Sequence, residues 1–182
     1  MRTLRKAERT YLDGAVVLID TREQRPLSFR HESRRATLAT GDYGIQGPDG
    51  QAFNIAIERK SLDDLIGSLC QGRERFEREF QRADELDYFA LVIEASLSDI
   101  ATGEYSSQMD PGAVIQTLIS WSVRYGVPVW LADSRSYAAR MIESLLEKHV
   151  RRLLIEGRVS LPVCTGVKSH ERPQEARKRP GP

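Results

Sequence analysis

Two short apolar runs constrain the fold of this chain more than any other feature. Ala15–Ile19 reads AVVLI and stops at Asp20, and Tyr88–Glu94 reads YFALVIE. Short, uninterrupted and rich in β-branched or aromatic residues, each has the pattern of a strand buried deep inside a sheet. Further short strands are expected over 36–39, 43–46, 52–59 and 127–131. Helices are expected between and after them. Ser61-x-x-Asp64 is a capping-box-like start, and Gly72 separates that helix from a second, near 73–86, with Phe76, Phe80 and Ala83 at helical spacing. Pro111 sits where first-turn prolines sit, opening a helix to about Tyr125 that Gly126 ends. Ser134 caps a long helix to about Ile155, closed by Gly157. Strands first, then alternating helix and strand, predict an α/β domain with a central mixed β-sheet flanked by helices.

The remaining segments set the expected boundaries. Residues 1–13 lack an apolar stripe and read as a frayed helix or arm, ahead of a domain over 14–157. Residues 27–35 read as loop, and 96–110 as loop with one short helical turn. Residues 158–182 form a basic tail, expected to be disordered from 165 onward because almost nothing in it is apolar. At 182 residues the chain suits one full domain. No apolar run approaches the roughly 20 residues that cross a bilayer, so no membrane partner is expected. Cys70 and Cys164 lie far apart without metal-ligand spacing, which suggests a reducing, intracellular compartment. His31, His149 and His170 form no zinc pattern. Any metal must therefore be held by oxygen. The net charge of +1 hides basic ends around an acidic centre: residues 41–149 carry 10 Lys/Arg against 18 Asp/Glu. That pattern fits a polyanion at the periphery and a cation at the core, or simply solvated tails.

The chemistry concentrates in TGDYGIQGPDGQAFNIAIERKSLDDL, residues 40–65. Side chains alternate faces along a strand. Phe53, Ile55 and Ile57 thus share an apolar face that must meet the core. Asn54, Ala56, Glu58 and Lys60 share the other, where a carboxylate and an ammonium stand side by side. The Gly47-Pro48-Asp49-Gly50 turn folds the chain back, so Asp42 can lie beside Glu58. Asp20 ends a buried strand, and sites in open α/β sheets assemble at the carboxyl ends of strands. Clustered carboxylates are costly to ionise together without a cation among them. Mg²⁺ takes hard oxygen ligands and suits one or two carboxylates plus a phosphate. Lys60 beside such an ion could orient a water, act as its base if its pKa is depressed, or steady developing phosphorane charge. Against this stands a plain surface salt bridge of Glu58 with Lys60 or Arg59.

These segments resemble the nuclease domain of the XPF family of structure-specific endonucleases. The family pattern G-D-x(n)-E-R-K-x-x-x-D is matched by Gly41-Asp42, Glu58-Arg59-Lys60 and Asp64, and its upstream D-x-R-E by Asp20-Thr21-Arg22-Glu23. The helix segment GRERFEREF is also similar. The resemblance spans roughly residues 14–150. It implies a restriction-endonuclease-like core that uses Mg²⁺ or Mn²⁺ to hydrolyse DNA near a branch, flap or fork. By position it assigns Asp20, Asp42 and Glu58 as metal ligands and Lys60 as the catalytic lysine. Arg22, Glu23, Arg59 and Asp64 are supporting members. It allows a homodimer and a bacterial or phage-encoded intracellular origin. No segment after residue 157 resembles the tandem helix-hairpin-helix module of longer relatives, so the stand-alone form is expected. A sequence- or junction-specific nuclease on the same core, or a non-catalytic DNA-binding subunit, are the alternatives.

Other residues carry plainer readings beside these. Asp64 suits a helix cap as well as metal support, and Arg22 suits an edge cation pairing Glu23. Arg75, Arg78 and Arg82 suit a solvated helix face with i,i+4 partners, Arg75 with Glu79 and Glu74 with Arg78. Trp121 is expected in the core.

Overall fold

The computed structural model describes residues 3–159 and 161. The elements run α1 (Lys6–Asp13), β1 (Val16–Asp20), β2 (Ser33–Ala36), β3 (Tyr43–Gln46), β4 (Ile55–Ser61), α2 (Leu62–Cys70) and α3 (Arg73–Ala83). They continue with β5 (Tyr88–Glu94), α4 (Leu97–Thr102), α5 (Pro111–Tyr125), β6 (Val129–Leu131) and α6 (Arg135–Ile155). The strands form one mixed sheet in the order β2-β1-β3-β4-β5-β6. β3 runs antiparallel to both of its neighbours, β1 and β4, while β1–β2, β4–β5 and β5–β6 are parallel. This is the expected α/β class with helices on both faces of the sheet.

Side-chain alternation on the central strands feeds two separate cores. Ile55 and Ile57 of β4, with Ala90 and Val92 of β5, pack under Ala138, Ile142, Leu146 and Val150 of α6. Ala56 of β4, with Phe89, Leu91 and Ile93 of β5, packs against Leu65 and Leu69 of α2, Phe76 and Phe80 of α3, and Leu118 and Trp121 of α5. The face that carries Ala56 and Glu58, read from sequence as the polar one, is therefore covered too. Period-two patterning shows that the faces differ but not whether a distant helix lies over the second.

The helix starts expected at Ser61 and Ser134 stand where a side chain caps the helix, and the structure adds two more such caps. Ser61, Ser96, Asp110 and Ser134 each accept a backbone N–H at the start of a helix. The expected loop at 27–35 gives way at Ser33 to edge strand β2, whose SRRA sequence is mostly exposed. An edge strand with solvated side chains leaves no hydrophobic signature. The expected strand start at 52 moves to Ile55, with Ala52 kept only as an isolated bridge to Gln46.

The polar N-terminal segment also differs from a frayed arm. The segment packs on the domain through Leu4, just before α1, and Tyr11 within it, both buried. The Tyr11 hydroxyl donates to Asp49 in the turn before β4 at 2.9 Å. Its ring lies where a Cβ on Gly47 would stand, so only glycine admits it there. Two anchors spaced seven residues apart are too few for a sequence stripe. The basic tail expected over 158–182, with Cys164 and His170, lies almost wholly outside the described residues. Among the described residues no helix is long and apolar enough to cross a membrane.

One buried group in α6 has a measurable consequence. His149 is buried beside the Tyr88 ring, and among the described residues its Nε2 has no hydrogen-bond partner. Burial holds its pKa below the ordinary 6.5, helped by the nearby Arg152. The unfolded chain thus takes up this proton first as pH falls through 6.5, and stability declines there. Urea midpoints measured from pH 8 to pH 5 are expected to fall less steeply in His149→Phe than in the parent. Equal slopes would remove this account.

Candidate active site

The carboxyl end of β4 opens into a cleft of about 800 Å³. Asp42 stands just before β3, β4 contributes Glu58 and Lys60, and the connection after β1 contributes Arg22 and Glu23. α2 brings Asp63 and Asp64, and α3 brings Arg75, Phe76 and Glu79.

The hairpin works as the sequence pattern required. Tyr43 pairs with Ile57, and the Asp42 amide donates to the Ile57 carbonyl at 2.9 Å, so Asp42 stands beside Glu58. Gly41 makes this approach possible. Its φ is +74°, and a Cβ there would meet the Ala56 Cβ at 3.0 Å and the Ile57 carbonyl oxygen at 3.2 Å.

Glu58 is buried, at 4% exposure. Lys60 Nζ donates to its Oε1 at 2.5 Å. Asp42 accepts the Arg59 amide on Oδ2 at 2.8 Å. Among the described residues, neither Asp42 Oδ1 nor Glu58 Oε2 has a hydrogen-bond partner. Burial, and then the Asp42 charge, push the Glu58 pKa up. Burial raises that of Asp42 to about 6, with the charge of Glu23 adding to it. Burial alone would lower Lys60, but the Glu58 carboxylate more than offsets it and keeps the ammonium charged. Two hard oxygens without partners, in a site that resists holding two negative charges, fit a small divalent cation.

Arg59 points to the other face and ties the strand end together. Its guanidinium, 8% exposed, donates to Glu23 at 2.9 and 3.1 Å and to Glu94 at 2.8 Å. Burial opposes its charge, and the Glu94 and Glu23 carboxylates hold it ionised nonetheless. Glu23 also accepts the Arg25 amide at 2.6 Å. Asp64 serves first as part of the α2 cap. Its amide donates to Ser61 Oγ at 3.2 Å, and Ser61 Oγ donates to its carboxylate at 2.6 Å.

The structure brings together two of the three expected metal ligands. The Asp20 side chain does not line the cleft. Its carboxylate accepts Arg22 Nε at 2.6 Å, the Arg22 amide at 2.9 Å and the Leu38 amide at 2.7 Å. Burial would raise its pKa, but those donors outweigh burial and hold it low. Among the described residues no group of three or more His, Cys, Asp or Glu side chains is placed to hold a metal. A strand-end carboxylate reads the same in sequence whether it faces a cleft or a neighbouring arginine.

A family model described as the ERCC4 domain matches residues 19–145 of this chain. The chain belongs to the ERCC4 domain family. Two solved structures share the fold. "XPF from Aeropyrum pernix" is 23% identical, with a TM-score of 0.59, and the match covers 79% of this chain and 69% of that one. "XPF from Aeropyrum pernix, complex with DNA" is 19% identical, with a TM-score of 0.54, and the match covers 80% and 67%. A search of curated proteins finds no match.

Within this ERCC4 domain, α3 supplies the cleft residues that sequence reasoning left on a solvated face. Arg75 and Glu79 do not pair with each other. Both line the cleft, and Glu79 lies 3.6 Å from Arg82 instead. The alternating charges of GRERFEREF satisfy i,i+4 spacing and conceal which turn faces the sheet. Trp121 is in the core, as expected, at 1% exposure. A second groove, of about 1130 Å³, runs between residues 26–30 and the first turns of α6. Its Glu143 is already held by Arg30 at 2.9 Å and His31 at 3.0 Å, so no carboxylate stands ready there.

The raised pKa of Asp42 carries a stability cost of known sign. A carboxyl that ionises less readily in the folded state contributes stability below its ordinary value of 3.8. That contribution is lost as pH rises through about 6. Asp42→Asn is therefore expected to raise the thermal midpoint of the metal-free protein at pH 8 by several degrees. The gain should close as pH falls toward 4. A variant less stable than the parent at pH 8 would contradict it.

Proposed function

We propose that this chain is a metal-dependent, structure-selective DNA endonuclease that hydrolyses phosphodiester bonds near branches, flaps or forks. The observation that carries the reading is the pair of carboxylate oxygens on Asp42 and Glu58 that find no partner among the described residues, beside a charged Lys60, within an ERCC4 domain. One fold neighbour is titled as a complex with DNA, which supports the choice of polymer.

Asp42 and Glu58 are the proposed ligands of Mg²⁺ or Mn²⁺. When bound, such a cation supplies Lewis acidity at the scissile phosphate. The chain's own residues do the rest. Lys60 keeps its proton, which favours a role in orienting the attacking water and stabilising negative charge over a role as general base. Arg22 and Arg75, both lining the cleft, are placed to meet phosphate oxygens. Arg59 acts through Glu23 and Glu94, holding the strand end in place. Asp64 steadies the start of α2. Asp20 acts by fixing Arg22 rather than by direct ligation.

The test is incubation with labelled flap, fork and linear duplex DNA, with and without Mg²⁺. Metal-dependent cutting of the branched substrates is expected, and Asp42→Ala or Lys60→Ala should each lower the rate by about 100-fold or more. Indifference to branching with a fixed cut sequence would favour a restriction-type activity. Binding of branched DNA without metal binding or cleavage would favour a non-catalytic subunit.

Self-association belongs to the same proposal. α5 leaves Ile119 and Val123, one turn apart, at 51% and 81% exposure. An exposed apolar pair on one helix face is where a second copy of the chain could cover the surface. Sedimentation is expected to show a dimer that Val123→Glu converts to monomer. A monomeric parent would end this part of the reading.

A further inference from the structure

Lys60 rests on an aromatic face. Its Nζ lies 4.6 Å from the centroid of the Phe76 ring. The Lys60 side chain is only 16% exposed, and its ammonium donates to one acceptor, Glu58 Oε1. Among the described residues no second acceptor is bonded to that nitrogen. A buried ammonium with one anion on one side needs something favourable on another. The face of a phenyl ring carries the negative lobe of its quadrupole and attracts a cation held above it.

The ring is itself held in place. It packs against Phe80 at 4.8 Å and edge-on to Trp121 at 5.1 Å. The next residue along α3, Glu77, accepts Trp121 Nε1 at 3.1 Å and the Tyr125 hydroxyl at 3.2 Å. These contacts clamp α3 to α5 at the turn that presents the ring. Leucine or isoleucine would fill this apolar pocket as well as phenylalanine, but neither offers a charged group a π face.

We propose that Phe76 is a positioning residue for Lys60, holding the ammonium in the cleft by a cation–π contact that does not depend on the charge of Glu58. This rests on the reading of Lys60 as the charged group of the reaction. The carboxylate anchors Lys60 only while one of its oxygens is available to it. The ring presents the same face whatever Glu58 binds. Lys60 thus keeps its station when Glu58 is engaged elsewhere. In this way Phe76 acts on the reacting phosphate through Lys60 and touches no substrate itself.

Two measurements on the full chain test this. First, the Lys60 ε-methylene protons of the metal-free protein are expected to resonate upfield, within the ring current of Phe76, and to lose that shift in Phe76→Leu. An ordinary shift in the parent overturns the contact. Second, Phe76→Leu is expected to lower kcat on a branched substrate about tenfold while KM changes less than about twofold. Phe76→Tyr is expected to restore it. Ring-fluorinated phenylalanines at position 76 keep shape and fold but weaken the π face, so kcat should fall stepwise with each added fluorine. A flat response across that series would show that the ring acts only by filling space. If the parent cuts no branched DNA at all, the nuclease reading fails, and the proton shift still decides whether the ring seats the ammonium.

Discussion

The site depends on the position of one strand. β4 is hydrogen-bonded on both edges, by β3 and β5, and covered on both faces, by α6 on one side and by α2 and α3 on the other. Charged residues at its carboxyl end therefore meet water only from the cleft. Glu58, Arg59 and Lys60 must find partners or shift their protonation, since an unpaired charge in such a place is costly. Arg59 finds Glu23 and Glu94, and Lys60 finds Glu58 and the Phe76 ring. Among the described residues, Glu58 and Asp42 are left with one unpartnered oxygen each. The reactive character of the cleft follows from where β4 stands.

Arg59 and Lys60 show how neighbours in sequence come to do different work. The pleat sends them to opposite faces. Arg59 joins a closed network that reaches the first turn of α6, where Arg135 lies 3.5 Å from Glu94 and donates to the carbonyls of Arg25 and Pro26. That network pins the loop carrying Arg22 and Glu23 to the sheet. Lys60 opens into the cleft instead. The closed network supplies rigidity, and the open pair supplies charge that chemistry can use.

α3 is the element whose role changed most between sequence and structure. Its charges suit a solvated helix, and Arg73–Glu77 at 3.1 Å is an ordinary i,i+4 pair. Yet one turn of that helix carries Arg75, Phe76 and Glu79 to the cleft. Glu77 serves two ends at once, pairing Arg73 and anchoring Trp121 and Tyr125. Helical spacing identified Phe76 as buried. That the same ring lies under an ammonium follows from the packing of α3 against the end of β4.

Local chemistry in the sequence was enough to determine the central strands β1 and β5, the helix starts at Ser61, Pro111 and Ser134, and the pairing of Asp42 with Glu58. Each rests on interactions within a few residues or across one tight turn, whose geometry admits few solutions. Only the tertiary structure decided that the Glu58 face is buried, that Asp20 turns to Arg22 and Leu38 instead of the cleft, and that α1 docks on Gly47. It also decided that Phe76 meets Lys60. Apart from the contact of Asp20 with Arg22, these outcomes depend on separate elements packing at van der Waals distance, and no periodicity or motif within one segment records what will arrive from another.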